Sequence, residues 1–204
     1  GIYWPIFLMA LDLPLPKKLL AHGWIMMKDG KMSKSKGNVV YPKEITEEFS
    51  VDSIRYYLFR EIKFGEDGDF SKSHVRERIN SELANEFGNL VQRVLSFIVK
   101  DGEFKPTYEL SQFNQTLVES SRSLLNSVYE KICLQDLSGA LNDICMLTKQ
   151  ANKFVEDNKP WSLRKLDDKD LYIECMTVLL ELIKNISILL FPFMPATSSN
   201  VLRY

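Results

Sequence analysis

Residues 75–98 read VRERINSELANEFGNLVQRVLSFI, and their apolar members decide the fold class. Val75, Ile79, Leu83, Phe87, Leu90, Val91, Val94 and Ile98 return at helical spacing and trace one face. Most positions between them are polar, and Gly102 ends the run. Three further segments follow the same logic. One is built on Phe113, Leu117, Leu124, Val128 and Ile132, and the next on Leu137, Leu141, Ile144, Leu147, Ala151 and Phe154. The last uses Leu171, Cys175, Val178, Leu182, Ile186 and Leu189. Short polar connectors join them, which favours antiparallel neighbours. The expected fold is mainly α, an antiparallel helical bundle.

Upstream of residue 70 the pattern differs. Residues 5–11 predict a short apolar helix with Pro5 near its first turn, stopped by Leu13-Pro14-Leu15-Pro16. Leu19 to Met27 is apolar and short enough for a strand, and Asp29-Gly30 is a turn dipeptide suited to positive φ. Ile54, Tyr57 and Leu58 begin the helical spacing, and Gly65 and Gly68 flank a loop before Ser71. The bundle is therefore preceded by a small α/β portion, with the boundary near residues 70–72. The start at Ile2-Tyr3-Trp4 and the end after Thr197-Ser198-Ser199, a cluster that normally begins a helix, both look cut.

Composition narrows the function less than the fold. The formal charge is −1 over 204 residues, so no global basicity advertises nucleic acid, and an RNA site must rest on local geometry. Cys133, Cys145 and Cys175 are an odd number without a CxxC pair, which argues against a disulfide framework or a zinc knuckle. All three are expected to be reduced, buried and apolar in role, and no metal-ligating set is evident. No basic segment followed by an apolar one opens the chain. The apolar stretch Val178 to Met194 is broken by Glu181, Lys184, Asn185 and Pro192, too interrupted for a bilayer. A reducing cytoplasm is the expected location.

The strongest chemical signal is Lys31-Met32-Ser33-Lys34-Ser35, continued by Lys36-Gly37-Asn38. Lysines three apart on a small-residue loop are movable point charges, suited to a polyphosphate whose charge shifts during reaction. A generic lysine-rich tip would be only a solvated hairpin. This residue order, after an apolar strand and a tight turn, resembles the signature loop of class I aminoacyl-tRNA synthetases. The resemblance implies that Lys31 and Lys34 stabilise pyrophosphate while an amino-acid carboxylate attacks the α-phosphate of ATP, with Lys34 taking the larger share.

The surrounding order, Ile2-Tyr3-Trp4-Pro5, Leu13-Pro14-Leu15-Pro16 and His22-Gly23-Trp24, is similar to the methionyl-tRNA synthetase family. Asp52, Arg55, Tyr56 and Leu58 continue it, as do Asn85 to Arg93, Asn158-Lys159-Pro160-Trp161 and Phe191 to Pro195, so that it covers almost the whole chain. By this resemblance Trp4 lines the methionine pocket, and His22, Gly23 and Lys31 to Ser35 (with Met32 and Ser33) contact ATP. Residues 1–48 would be the C-terminal piece of a Rossmann-type catalytic domain, 49–71 a connector touching the inner tRNA stem, and 72–204 the anticodon-binding domain, truncated at its end. The family's second ATP motif, His-x-Gly-His, is absent, because His22 and His74 are the only histidines and stand far apart.

Asn85, Asn89 and Arg93, four apart, form one polar stripe on the long helix, with Phe87 and Val91 projecting to nearly the opposite side. Amide and guanidinium groups beside an aromatic suit splayed single-stranded bases, and Trp161 follows Pro160 at a helix entry. On their own these are ordinary surface residues. The resemblance makes Asn89, Arg93 and Trp161 readers of a CAU anticodon, with Asn85 and Asn152 as weaker candidates. The parent enzyme would ligate methionine to its tRNA using ATP and Mg²⁺. The present chain is expected to bind the anticodon of methionine tRNA, to hold no cofactor, and not to form the adenylate. Two alternatives are a class I synthetase for another amino acid and a non-catalytic RNA-binding helical module.

Overall fold

The computed structural model describes residues 1–28, 30–102, 104–107, 109–165 and 169–203. In chain order the elements are α1 (Tyr3–Ala10), β1 (Ile25–Met27), β2 (Gly30–Lys31), a 3₁₀ turn (Lys34–Lys36), α2 (Pro42–Glu48), α3 (Val51–Glu61) and β3 (Gly68–Asp69). They continue with α4 (Lys72–Arg78), a π-helical segment (Ile79–Gly88), α5 (Asn89–Asp101), α6 (Gln112–Cys133), α7 (Leu137–Asn158), α8 (Pro160–Leu163), α9 (Lys169–Leu190) and α10 (Pro195–Val201). The protein is thus mainly helical with a small mixed sheet.

Local chemistry fixes the helix starts. Ser50, Ser71, Ser111 and Asp136 each accept the backbone N–H three residues on, from Ser53, His74, Asn114 and Gly139, the standard relief for a helix's first unpaired donors. A Cβ at Gly139 would lie 2.0 Å from the capping Asp136 carboxylate, so a larger residue there would displace the cap. Gly102, at φ +77°, ends α5 in a conformation that side chains resist.

The main core lies where α6, α7 and α9 meet, with Leu90 and Val94 of α5 and Tyr56 of α3 added from the side. Leu141, Ile144, Leu179, Leu182 and Ile186 are fully or almost fully buried in it. At about 1.5–3 kcal/mol for each large apolar side chain, this cluster is the chief stabilising feature. A second cluster of Ile45, Tyr57, Phe70 and Val75 joins α2, α3 and α4 to the sheet. The sheet order is β2-β1-β3, with β1–β2 antiparallel and β1–β3 parallel.

Helix α3 spans the two clusters and is tied across by polar bonds. Arg55 donates to the carbonyls of Phe193 and Pro192 at 3.0 and 2.8 Å. Asp52 Oδ2 accepts the Thr197 N–H at 2.6 Å. Glu82 of the π segment receives the Tyr56 hydroxyl at 2.7 Å and the Arg60 guanidinium through two bonds of 3.2 Å. Arg78 reaches Glu82 at 2.9 Å and Glu61 at 2.6 Å. Burial disfavours the Glu82 carboxylate, but the Tyr56 and Arg60 bonds outweigh it and hold its pKa below the usual glutamate range.

Several expectations need correction. The strand covers only Ile25–Met27, because Leu19 and Leu20 are exposed and no neighbouring strand pairs with them among the described residues. The long helix is not uniformly α, since π turns run from Ile79 to Gly88. Thr197-Ser198-Ser199 lies inside α10 and does not cap it; Pro195 supplies the first turn. Cys133 is exposed and Cys145 half-buried, so only Cys175 is a buried apolar residue, with burial pushing its thiol up to about 12. Of the Asp29-Gly30 turn, Gly30 has φ +94°, while Asp29 lies outside the described residues.

Candidate functional site: a phosphate loop and an RNA-facing cluster

The lysine loop is held from below by the sheet. Trp24 donates its backbone N–H to Asp67 Oδ1 at 2.6 Å and accepts from Gly68 N at 2.9 Å, while Phe70 N bonds Met26 O at 2.8 Å. Gly23 makes this approach feasible, because a Cβ there would lie 2.1 Å from the Glu66 carbonyl oxygen. Beyond β2, Ser33 is extended, Lys34–Lys36 form one 3₁₀ turn, and Gly37 closes it at φ +66°. Asn38 Oδ1 accepts the Ser33 N–H at 2.8 Å, and the Ser33 and Ser35 hydroxyls are 2.7 Å apart.

The lysines differ in their surroundings. The Lys31 ammonium sits 3.5 Å from the centroid of the Trp24 ring, a cation–π contact. Lys34 is exposed, and its ammonium has no partner among the described residues. Met32 and Ser33 are half-buried and anchor the loop, whereas Ser35 is exposed. The Asn38 Nδ2 is buried without a hydrogen-bond partner, a free donor at the base of a loop whose remaining groups suit phosphate oxygens. That donor and the exposed Lys34 ammonium fit a polyphosphate.

The other predicted nucleotide and methionine residues are not gathered here. His22 Nδ1 lies 2.9 Å from the Gly23 carbonyl, and both residues line a cleft of about 150 Å³ with α3 residues and the turn after it. None of Lys31 to Ser35 lines that cleft. Trp4 is 64% exposed on α1, a helix with no buried residue. A larger cavity, about 570 Å³, is lined by Pro106, Thr107, Glu109 and Leu110 with residues of α6 and α9, and includes none of the predicted residues.

The second constellation is assembled by α5, α7 and α8. Asn89 opens α5, and Arg93 stands one turn later on the same face. Helix α7 ends at Lys159, which adopts a left-handed conformation (φ 46°, ψ 64°) and also precedes α8. The reversal is stabilised by Ser162 N bonding Lys159 O at 2.7 Å and Asn158 Nδ2 bonding Phe154 O at 2.9 Å. Pro160 is buried, and Trp161 is left half-exposed with one side against the core.

The Arg93 guanidinium lies 5.4 Å from the Trp161 ring centroid and pairs with Glu156 at 2.8 Å. Neither Asn85 nor Asn89 has a side-chain hydrogen-bond partner among the described residues, and both are exposed. Unpaired amides beside a cation and a half-exposed indole can hydrogen-bond base edges and stack one base. Asn152 is used differently, donating to the Glu86 carbonyl and carboxylate at 3.2 and 3.0 Å. Sequence reasoning missed Trp24, Asn38 and Glu156 as partners of the predicted residues. Asn38 had a signal, being continuous with the lysine loop, whereas Glu156 carried none.

The chain, with its lysine loop on a small sheet joined to a helical bundle, is similar to part of the class I tRNA synthetases. Residues 1–95 match the family described as tRNA synthetases class I (M). The relatives and solved structures it resembles are methionyl-tRNA synthetases. It is 45% identical over 205 residues to methionine–tRNA ligase 1 of Bacillus anthracis, covering 98% of this chain and 31% of that protein. It is also 46% identical over 198 residues to the methionine–tRNA ligase of Halalkalibacterium halodurans, covering 95% of this chain and 30% of that one. The chain therefore spans about a third of the length of these relatives. Its fold matches the Mycobacterium tuberculosis methionyl-tRNA synthetase bound by methionyl-adenylate, with a TM-score of 0.89, 37% identity, and coverage of 98% of this chain and 40% of that chain.

Proposed function

We propose that this chain is the part of a cytoplasmic methionine–tRNA ligase that carries the ATP signature loop and reads the anticodon. Residues 1–48 would close the catalytic domain, 49–71 would meet the inner tRNA stem, and 72–204 would bind the anticodon loop. The parent reaction joins methionine to ATP with release of pyrophosphate, then transfers the methionyl group to the terminal ribose of its tRNA. In it Lys34 and Lys31 neutralise the phosphate charge that develops as pyrophosphate leaves. Mg²⁺ would arrive with the ATP phosphates. His22, Gly23 and Trp4 complete the nucleotide and methionine sites only together with the rest of a catalytic domain. The chain alone is accordingly expected to give no methionine-dependent ATP–pyrophosphate exchange.

The observation that carries the RNA reading is the Arg93–Trp161 contact beside the unpartnered Asn89 amide. Trp161 supplies a stacking face, and Arg93 and Asn89 supply hydrogen bonds to base edges, here those of CAU. The test is the affinity of the chain for a CAU anticodon stem-loop against the same stem-loop with one anticodon base changed. Tighter binding of CAU by about tenfold, the effect of one well-placed hydrogen-bonding pair, is expected. Equal affinity for both, in chain shown to be folded by its helical circular dichroism, contradicts the reading.

A further inference from the structure

The long helix changes geometry at its exposed asparagines. Over Ile79–Gly88 it makes π turns, so that the Asn89 N–H reaches back to Ala84 O, five residues upstream, and also to Glu86 O. A π segment of this length is rare and costs backbone energy that surrounding groups must offset. Helix α7 supplies such a group. Asn152 stands between buried positions of α7 and sends its Nδ2 to the Glu86 carbonyl at 3.2 Å and to Glu86 Oε2 at 3.0 Å. The carbonyl that accepts the Asn89 N–H is thus also held by a side chain from a neighbouring helix. The Asn89 side chain itself, exposed and unpartnered, is left aimed outward.

We propose that Asn152 is a positioning residue for RNA recognition, holding Glu86 and through it Asn89 at the π-to-α junction without touching RNA. This inference rests on the anticodon reading of Asn89, Arg93 and Trp161. Its physical basis is register: a one-residue slip between π and α turns swings a helix face by about 100°. A slip at Glu86 therefore takes residues before the junction out of line with Arg93 and releases the Asn89 backbone. The bond fixes register from outside the helix, on an element that also carries Glu156 and leads into Trp161.

The test is a double-mutant cycle on the 204-residue chain with a CAU anticodon stem-loop. Asn152→Ala is expected to weaken binding about fivefold to tenfold in the wild-type background. It is expected to cost almost nothing further in an Asn89→Ala background. A loss of equal size in both backgrounds, or no loss in the first, overturns the proposal. A purely structural role would give that additive result. If Asn152→Ala fails to fold, Asn152→Asp keeps the size, removes the donor, and is carried through the same cycle with the same expectations. Failure of the wild-type chain to prefer CAU overturns the anticodon reading itself; CAU preference with additive losses overturns only the role of Asn152.

Discussion

Asn38 Oδ1 accepts the Ser33 N–H at 2.8 Å, so the lysine loop is closed on itself by a residue outside its five-residue core. The same amide keeps a buried Nδ2 without a partner among the described residues. Asn38→Ala removes about 1 kcal/mol of local support and should speed tryptic cleavage after Lys31, Lys34 or Lys36. The global melting temperature should hardly move, because the loop adds little to either apolar cluster. Unchanged cleavage would mean that the loop is held by something else.

Glu82 joins α3 to the π segment by accepting from Tyr56, Arg60 and Arg78. Its side chain is 15% exposed and that of Arg60 18%, so removing one partner strands charge with little water to compensate. Glu82→Ala should destabilise the chain by about 2–4 kcal/mol, and Tyr56→Phe, which deletes one bond, by about 1 kcal/mol. Urea unfolding measures both. A Glu82→Ala cost no larger than that of Tyr56→Phe would show that the two arginines find other partners.

Much of the fold was legible, because every long helix buries a regular apolar face. The π segment was not recognised, although a trace exists. Val75, Ile79, Leu83 and Phe87 recur strictly every fourth residue, where an α face alternates threes and fours, and a wider turn keeps them aligned. The loop could be read because its residues are contiguous. The partners of the site residues could not: Glu156 meets Arg93 from another helix, and the contact of Trp24 with Lys31 depends on strand register. Tyr56, Glu82 and Cys145 meet from three elements far apart in sequence. Trp4 and His22 were assigned by resemblance alone: Trp4 stands exposed on α1, and the cleft that His22 lines includes none of Lys31 to Ser35.

Acid should weaken the fold. Burial works against the carboxylates of Glu82, Glu174 and Glu181, yet their bonds prevail: Tyr56 and Arg60 for the first, the Ser111 N–H and Asn114 for the second, Arg122 and Lys184 for the third. All three sit below the ordinary glutamate value. A folded-state pKa below the unfolded one gives stability that is complete above the unfolded value, about 4.3, and lost as pH falls through the folded value. The melting temperature should therefore be nearly flat from neutrality to about pH 5.5 and decline below about 4.5. Glu82→Gln, already destabilised at neutral pH, should decline less steeply; an identical slope would remove Glu82 from the acid response.

The most direct test of the central claim is the affinity of Trp161→Ala and Trp161→Phe for the CAU anticodon stem-loop, beside the wild-type chain. If Trp161 stacks a base next to Arg93, the alanine variant should lose roughly 1–3 kcal/mol of binding and the phenylalanine variant clearly less. The preference for CAU should survive in the phenylalanine variant. Wild-type affinity in Trp161→Ala, with the helical signal intact, would contradict the assignment of this cluster to anticodon reading.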